Sequence, residues 1–491
     1  MQTNFSRNLE KNLKTLQQRL HLDVNDDALG QDCALLYMEG LSDGEQMAQH
    51  ILRPMMNSPL VLAGRSTAEQ VMQNVLTVPE VESGTEVSPA LDDLLRGLCL
   101  VLIDGCDQAL RIDLRSYSRR ALSGPQNETV VVGPNDACTE TLRDNLTILH
   151  RRVPSPDFVC RLIKVGTETP VQVALCYLDG VCPRETVEEL QRRLDGVELD
   201  YVLTSGTLEQ LIEDDPYAPL PQVVGTERPD RAVSFLMEGQ AVLLLDGSPR
   251  ALALPVSLWH LFHAPDDSYM RWQYGTFMRL LRLLGALVTL LLPAVFVSLV
   301  VYHPITIPMT LLTSIMQSRT NVPINLFEET LLMVAVFALI NESAIRIPGM
   351  MGSSLGLVST LILGTAAVDA GLVSPLLIIV VALSGLGSYA MPNYPLSFAF
   401  RLGQVALLLA AGITGVSGLC YAVVMLLCWV AAMESLGQPF LAPGSPRRTH
   451  NPDLLLRAPT FRQRLRAYLS DPREMKRAYG RMRRFDGRDQ E

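Results

Sequence analysis

The chain has 491 residues, a formal net charge of −10 and a mean hydropathy of +0.20. Only 19% of the residues are charged, and unevenly: 283–318 and 402–433 carry no Asp, Glu, Lys or Arg, and 347–400 carries one, Asp369. A helix needs about 20 apolar residues to cross a bilayer core. These stretches therefore exclude a wholly soluble chain and predict a soluble first part followed by a multi-span helical bundle.

From Met1 past Gln18 the sequence is polar, without the apolar core of a signal peptide, so the region before Arg271 is expected in the cytoplasm. Two motifs recur within it. Ala34–Gly40 (ALLYMEG) returns as Ala174–Gly180 (ALCYLDG) at an offset of 140, and Val101–Gly105 (VLIDG) returns as Leu243–Gly247 (LLLDG) at an offset of 142. Each is an apolar run closed by an acid and a glycine, the pattern of a buried strand ending in a tight turn. Amphipathic segments lie between, such as Thr186–Leu194 with Val187, Leu190 and Leu194 at helical spacing. The expected fold is an α/β region of two similar, duplicated subdomains, 1–150 and 151–265, then a juxtamembrane linker at 266–282.

The Asp-Gly pairs read as turn residues rather than catalytic or metal-binding carboxylates. No phosphate-binding glycine loop, zinc-protease helix or nucleophile elbow stands at a usable place, and the seven histidines are scattered. The nine cysteines are odd in number, lack a CxxC pair and read as reduced, packed thiols. No catalytic residue, cofactor or metal is expected, which argues against an enzyme.

The membrane part is expected over 283–436. Leu283–Tyr302 is its first span, with Pro293 as a kink, and His303–Ser318 is short and proline-interrupted, suited to an interfacial or re-entrant helix. Glu328–Ile345, Ser353–Val373 and Ser374–Met391 follow. Leu402–Met433 is either one long helix or two short ones broken near Gly412–Gly418, so the count is four full spans or six. Gly352–Gly356 and the series Gly412, Gly415, Gly418 offer small faces for close helix packing, within one chain or between copies. Arg271, Arg279 and Arg282 precede the first span, and the tail from Arg447 carries thirteen basic residues against six acidic. Both ends are thus expected in the cytoplasm, with an even number of crossings. The tail, placed at 437–491, suits anionic lipid better than nucleic acid because it follows a span.

Four acids stand where ion chemistry would need them. Glu328 and Glu329 sit beside Pro323, where a first-turn position at a helix end accounts for them; Glu342 with Arg346 fits an i,i+4 ion pair; each of the four also fits a helix end in the headgroup zone, and Asp369 is the most open case.

Several stretches together resemble the GerA family of spore germination proteins. They are Thr226–Asp230, Tyr269–Trp272, Phe277–Arg282, Leu292-Pro293, His303-Pro304, Ala367–Pro375 and Ile379–Leu383, with Glu128, Gly133-Pro134, Glu140, Asn145 and Arg151-Arg152 upstream. Asn341–Pro348 is similar to an A-subunit stretch, favouring that type over the SpoVAF paralogue. The resemblance covers about residues 30–460 and implies a two-lobed cytoplasmic region and a place in the spore inner membrane. It further implies a ring-shaped oligomer forming a cation channel, a transporter-like B subunit that binds the nutrient, and a lipoprotein C subunit. The chain departs from the family at Val132, Asn135 and Asn341, where arginine is usual, and at Val334 and Ala338, where acids are frequent. The Ser353–Val373 helix is then the better pore candidate, with Leu361 or Val368 as an apolar gate and Asp369 beside it. A non-conducting scaffold subunit and a secondary transporter are the competing readings. Transporter halves tend to repeat in the membrane, whereas the repeat here is in the soluble part.

Overall fold

A computed structural model of the chain describes residues 4–20, 26–28, 33–58, 68–78, 80–115, 124–125, 128–346, 364–446, 453–466 and 472–477. The chain divides into two compact units: Met1–Glu213, Val223–Pro255 and Tyr468–Arg477 form one, and Asp214–Gln222, Val256–Ala467 and Ala478–Glu491 the other.

The first unit holds two five-stranded sheets. The first consists of β1 (Asp26–Ala28), β2 (Cys33–Leu36), β3 (Val81–Gly84), β4 (Cys99–Ile103) and β5 (Ala109–Ile112), with helices α1 (Leu9–Leu20) and α2 (Val87–Leu95) and shorter helical pieces between Gly44 and Asn74. Helix α3 (Leu142–Arg152) opens the second set. It continues with β6 (Phe158–Val165), β7 (Val171–Leu178), α4 (Arg184–Asp195), α5 (Ser205–Ile212), β8 (Val224–Thr226), α6 (Pro229–Met237), β9 (Ala241–Leu245) and β10 (Ala251–Leu254). The strand orders are β1-β2-β4-β5-β3 and β6-β7-β9-β10-β8, the same connectivity advanced by five. Every strand pairing in both is antiparallel.

Antiparallel strands often alternate apolar and polar residues, but β4 is buried along its whole length. The reason is cover on both faces. Cys99, Val101 and Ile103 pack with Met47, Ile51, Met55 and Val71 on one side, while Leu100 and Leu102 pack with Leu16, Val87, Leu91 and Leu94 of α1 and α2 on the other. In the second sheet β9 and β10 are likewise buried throughout.

The duplication extends to register and to backbone capping. Ala34 pairs with Leu102, and their repeats Ala174 and Leu244 pair in the same way. The two repeated motifs are thus neighbouring strands of one sheet in each copy. Each Asp-Gly turn then holds a helix. Asp104 Oδ1 accepts from Leu9 N at 2.9 Å, and Asp246 Oδ1 from Leu142 N at 3.0 Å, each satisfying the first N–H of a helix. Gly105 N and Gly247 N each donate, at 2.8 Å, to the carbonyls of Arg7 and Glu140 just ahead of those helices. Both glycines have φ above +80°, which a β-carbon disfavours. A third correspondence appears: the buried amides of Asn12 and Asn145 each bridge the backbone N and O of one residue, Ser6 and Thr139, at 2.6–2.8 Å.

These Asp residues are structural caps. Asp104→Ala and Asp246→Ala are each expected to lower unfolding stability by about 1 kcal/mol, measured by urea titration of the purified chain. No loss in either variant would refute the capping role. A second expectation concerns Glu209 on α5, where burial, reinforced by the charge of Glu213, pushes the carboxyl up to about 7 from 4.5. Between those values the folded chain holds a proton the unfolded chain has released. This contribution is complete below pH 4.5 and lost as pH rises through 7. Glu209→Gln should therefore match the parent near pH 4 and exceed its stability at pH 8 by about 3 kcal/mol; a constant difference across that range would refute the assignment.

The second unit is helical. It contains α7 (Trp272–Val297), extended by a π-turn to Tyr302, α8 (Met309–Ser318), α9 (Leu326–Arg346), α10 (Pro375–Tyr389), α11 (Tyr394–Thr414) and α12 (Val416–Ala432). The uncharged run 402–433 is thus two helices, parted at Gly415 with φ +69°. Its α-carbon lies against Tyr302, whose ring stands 2.7 Å from where a β-carbon would be. Helix α7 starts at Trp272, ahead of the apolar run, so Arg279 and Arg282 lie inside it. Both are buried, and both bond the buried Asp267: Arg282 Nη1 at 2.7 Å and Arg279 Nε at 3.2 Å. Arg279 also pairs with Asp453 at 2.7 Å, and Arg457 donates to the carbonyls of Asp267, Ser268 and Met270. Residues 453–457 of the basic tail are thus folded against the start of α7. Burial moves the Arg457 pKa downward, against the pull of Asp453 and Asp267.

A polar candidate functional site in the helical unit

Among the described residues two helices are long and apolar enough to cross a membrane, Trp272–Tyr302 and Tyr394–Thr414, while Pro375–Tyr389 and Val416–Ala432 are apolar but shorter. This is fewer than the four to six crossings the charge-free stretches predict. The expected Ser353–Val373 span lies largely outside the described residues; among those described the difference has two physical sources. Helix α9 is long enough but carries Glu328, Glu329, Glu342 and Arg346. Glycine and proline cut the other apolar runs into pieces of about 22–26 Å, against a core of about 30 Å.

Helices α7 and α10 cross at small residues. A β-carbon on Gly387 would stand 2.4 Å from the Gly285 carbonyl oxygen and 2.7 Å from Thr289 Oγ1. Thr289 Oγ1 donates toward Ser384 O at 2.9 Å, and Gln404 Nε2 reaches Ser384 Oγ at 3.0 Å, so α7, α10 and α11 are joined by side-chain bonds. Lipid supplies no hydrophobic drive between helices, so close small faces and such bonds hold a bundle. Gly412 serves the same end within the chain, packed on Phe327, and Gly418 lies over Thr414.

The expected acids separate sharply. Glu328 is exposed in the first turn of α9, whereas Glu329, one residue on, is fully buried. Glu329 Oε1 accepts from Ser374 N at 2.6 Å and Ser374 Oγ at 2.8 Å, and Oε2 from Arg319 Nε at 3.2 Å. Ser374 caps the start of α10 and Arg319 follows α8, so one carboxylate ties three elements. Val368 is half-buried and Asp369 exposed at the end of a helical stretch, 364–369, a few residues before Ser374. Gly371, with φ +68°, turns the chain there and donates to Val368 O at 2.9 Å. Leu361, Gly352 and Gly356 lie outside the described residues, as does the side chain of Arg346.

Glu342 is exposed near the other end of α9, at the edge of a cavity of about 300 Å³ between α9, α10 and α11. Val334, Phe337 and Val381 form apolar wall, and Asn341, Ser388 and Arg401 line its polar part. Arg401 bonds Ser388 Oγ at 3.0 Å and lies 5.5 Å from the centre of the Tyr389 ring; no carboxylate among the described residues pairs with it. The side chains of Arg319, Ser374 and Arg401 went unnoticed in the sequence. For Arg401 a signal exists: it is the single charged residue between Asp369 and Glu434.

The two stretches of the family resemblance in the first unit also meet. Glu128 Oε1 pairs with Arg231 at 2.6 Å, and the fully buried Arg228 donates to the carbonyls of Glu128 and Pro134 at 3.2 and 2.8 Å. Nearby, burial pushes the Cys138 thiol up to about 12, and Cys182 likewise, so both are neutral and unreactive at neutral pH.

A duplicated α/β unit followed in one chain by a helical unit with two helices of membrane-spanning length fits a membrane-protein class. The chain belongs to the GerA family: the family model described as Bacillus/Clostridium GerA spore germination protein matches residues 3–468. It is 33% identical over 414 residues to spore germination protein GerLA of Bacillus cereus, 84% of each chain. It is 32% identical over 483 residues to spore germination protein B1 of Bacillus subtilis (strain 168), covering 95% of this chain and 98% of that one. A crystal structure of the N-terminal domain of the A subunit of the Bacillus megaterium spore germinant receptor GerK3 matches 52% of this chain and 98% of its own at 25% identity and a TM-score of 0.40. The chain is a spore germination protein and not an enzyme.

Removing one partner of a buried ion pair strands the other charge. Arg319→Ala should cost the helical unit about 3 kcal/mol or more, and Glu329→Gln, which keeps a hydrogen-bonding group at the site, less. Thermal unfolding in detergent compares them; an equal or reversed ranking would show that the pair is solvated.

Proposed function

We propose that the chain is the A subunit of a nutrient germinant receptor in the spore inner membrane, assembled as an oligomeric cation channel that opens when a partner subunit binds the germinant. The observation that carries this reading is the Glu329 node. A buried carboxylate anchors Ser374, at the end of the candidate pore segment, to α8 and α9. The same segment presents an exposed carboxylate, Asp369, beside the half-buried Val368. An acid at the end of an apolar constriction concentrates cations where an apolar ring blocks them by dewetting. The germinant-binding B subunit, the lipoprotein C subunit, a ring of copies, multiple crossings and cytoplasmic termini belong to this proposal. So does attraction of the basic tail to anionic lipid.

A non-conducting assembly subunit is the second reading, favoured by the apolar middle of α9, where Val334, Phe337 and Ala338 line a wall rather than a charged path. Ion release separates the two. Leu361→Ala and Val368→Ala should each make spores release monovalent cations without germinant, at least several-fold above the parent by flame photometry. Unchanged release in both variants, with normal receptor levels, would sink the channel reading.

A further inference from the structure

We propose that the cavity between α9, α10 and α11 is a phosphate-binding site for a membrane phospholipid, its phosphodiester held by Arg401 and Asn341 and an acyl chain lying along Phe398 and Leu402. Three observations point to a ligand. First, Asn341 is 7% exposed and lines the cavity; its Oδ1 accepts from Tyr389 Oη, while Nδ2 has no hydrogen-bond partner. A buried amide N–H₂ left unbonded is costly, about 1–3 kcal/mol, and marks the place of a missing acceptor. Second, Arg401 lines the same cavity with no carboxylate partner among the described residues, its guanidinium meeting only a serine hydroxyl and a tyrosine face. A guanidinium presents a fork of donors that matches phosphate oxygens. Third, Phe398 and Leu402, beside Arg401 on α11, line the cavity and are 51% and 45% exposed, so the polar part continues into open apolar surface.

The level of the cavity along the bundle agrees. Helix α10 meets α7 at Gly387 and Gly285, one turn beyond the buried Arg282, and Phe262 contacts the ring of Phe400 at 6.0 Å. The site therefore lies toward the end of α7 that carries Arg279 and Arg282, at headgroup depth for a helix that enters there.

Phosphate chemistry has two sources, a lipid headgroup or free phosphate. The exposed apolar surface of Phe398 and Leu402 beside Arg401 favours the lipid. A phosphodiester carries one negative charge, which Arg401 neutralises. Inorganic phosphate carries up to two near pH 7, more than Arg401 alone neutralises.

Native mass spectrometry of the full chain in detergent, titrated with a short-chain phosphatidylglycerol, tests the site, with a parallel titration against inorganic phosphate. The parent should bind one lipid tightly. Arg401→Gln and Asn341→Leu should each weaken this at least tenfold, Arg401→Lys less, and Leu402→Trp, which fills the apolar part and keeps the charge, as strongly as Arg401→Gln. Size-exclusion profiles and far-UV circular dichroism check that the variants fold. Lipid binding unaltered by all four substitutions would overturn the site. Stabilisation by inorganic phosphate equal to that by lipid would overturn the lipid assignment. Loss of self-association in Arg401→Gln with lipid binding intact would instead give the cavity to a second copy and overturn the proposal.

Discussion

A charge taken out of water must be met within hydrogen-bond reach, and the helical unit is arranged around that requirement. At one end Asp267 receives two guanidinium groups and lies against a third, that of Arg457, which donates to its backbone. At α9's start Glu329 receives an arginine, a hydroxyl and a backbone N–H. Each isolated charge would cost several kcal/mol, and each pair holds together elements distant in sequence. Between these nodes the helices rely on contacts that need no charge: Gly285 on Gly387 and the threonine–serine bonds of α7 and α10. Charges fix the ends, and small residues set the spacing between.

The α/β unit meets a related requirement for backbone groups. The first N–H of a buried helix needs an acceptor, and each lobe supplies it from an Asp-Gly turn a hundred residues away in sequence. This explains why that dipeptide recurs at the end of β4 and of β9, where a catalytic carboxylate would have no reason to face a helix start. It also explains why the two copies keep one register: the turn that ends the strand positions the helix that covers the sheet.

How much of this was legible in the sequence depended on range. The strand motifs were visible because an apolar run closed by Asp-Gly is a local signal. The matching Asn12 and Asn145 were not, since single residues bonding their own backbone neighbours leave no run to compare. The break near Gly415 was readable from glycine spacing. Glu328 and Glu329 are alike in sequence, yet adjacent helix residues point about 100° apart, so one faces outward and the other is buried. Nothing local says which, because the partners Arg319 and Ser374 arrive through tertiary packing. Arg401 was readable as a solitary charge between uncharged stretches, but only the packing of α9 and α10 beside it shows that no carboxylate among the described residues pairs with it.

The two ends of α9 are held with unequal strength, and this bears on how the helix can respond to a change around it. Pulling Glu329 from Arg319 and Ser374 would leave a buried carboxylate unmatched, at about 3–5 kcal/mol. Moving Asn341 away from Tyr389 gives up one neutral hydrogen bond, about 1 kcal/mol, and its Nδ2 donor is already unbonded. Of these two contacts the one at Glu329 is the costlier to break, which makes it the fixed point. The fixed point is also where Ser374 is tied, directly after the segment carrying Val368 and Asp369.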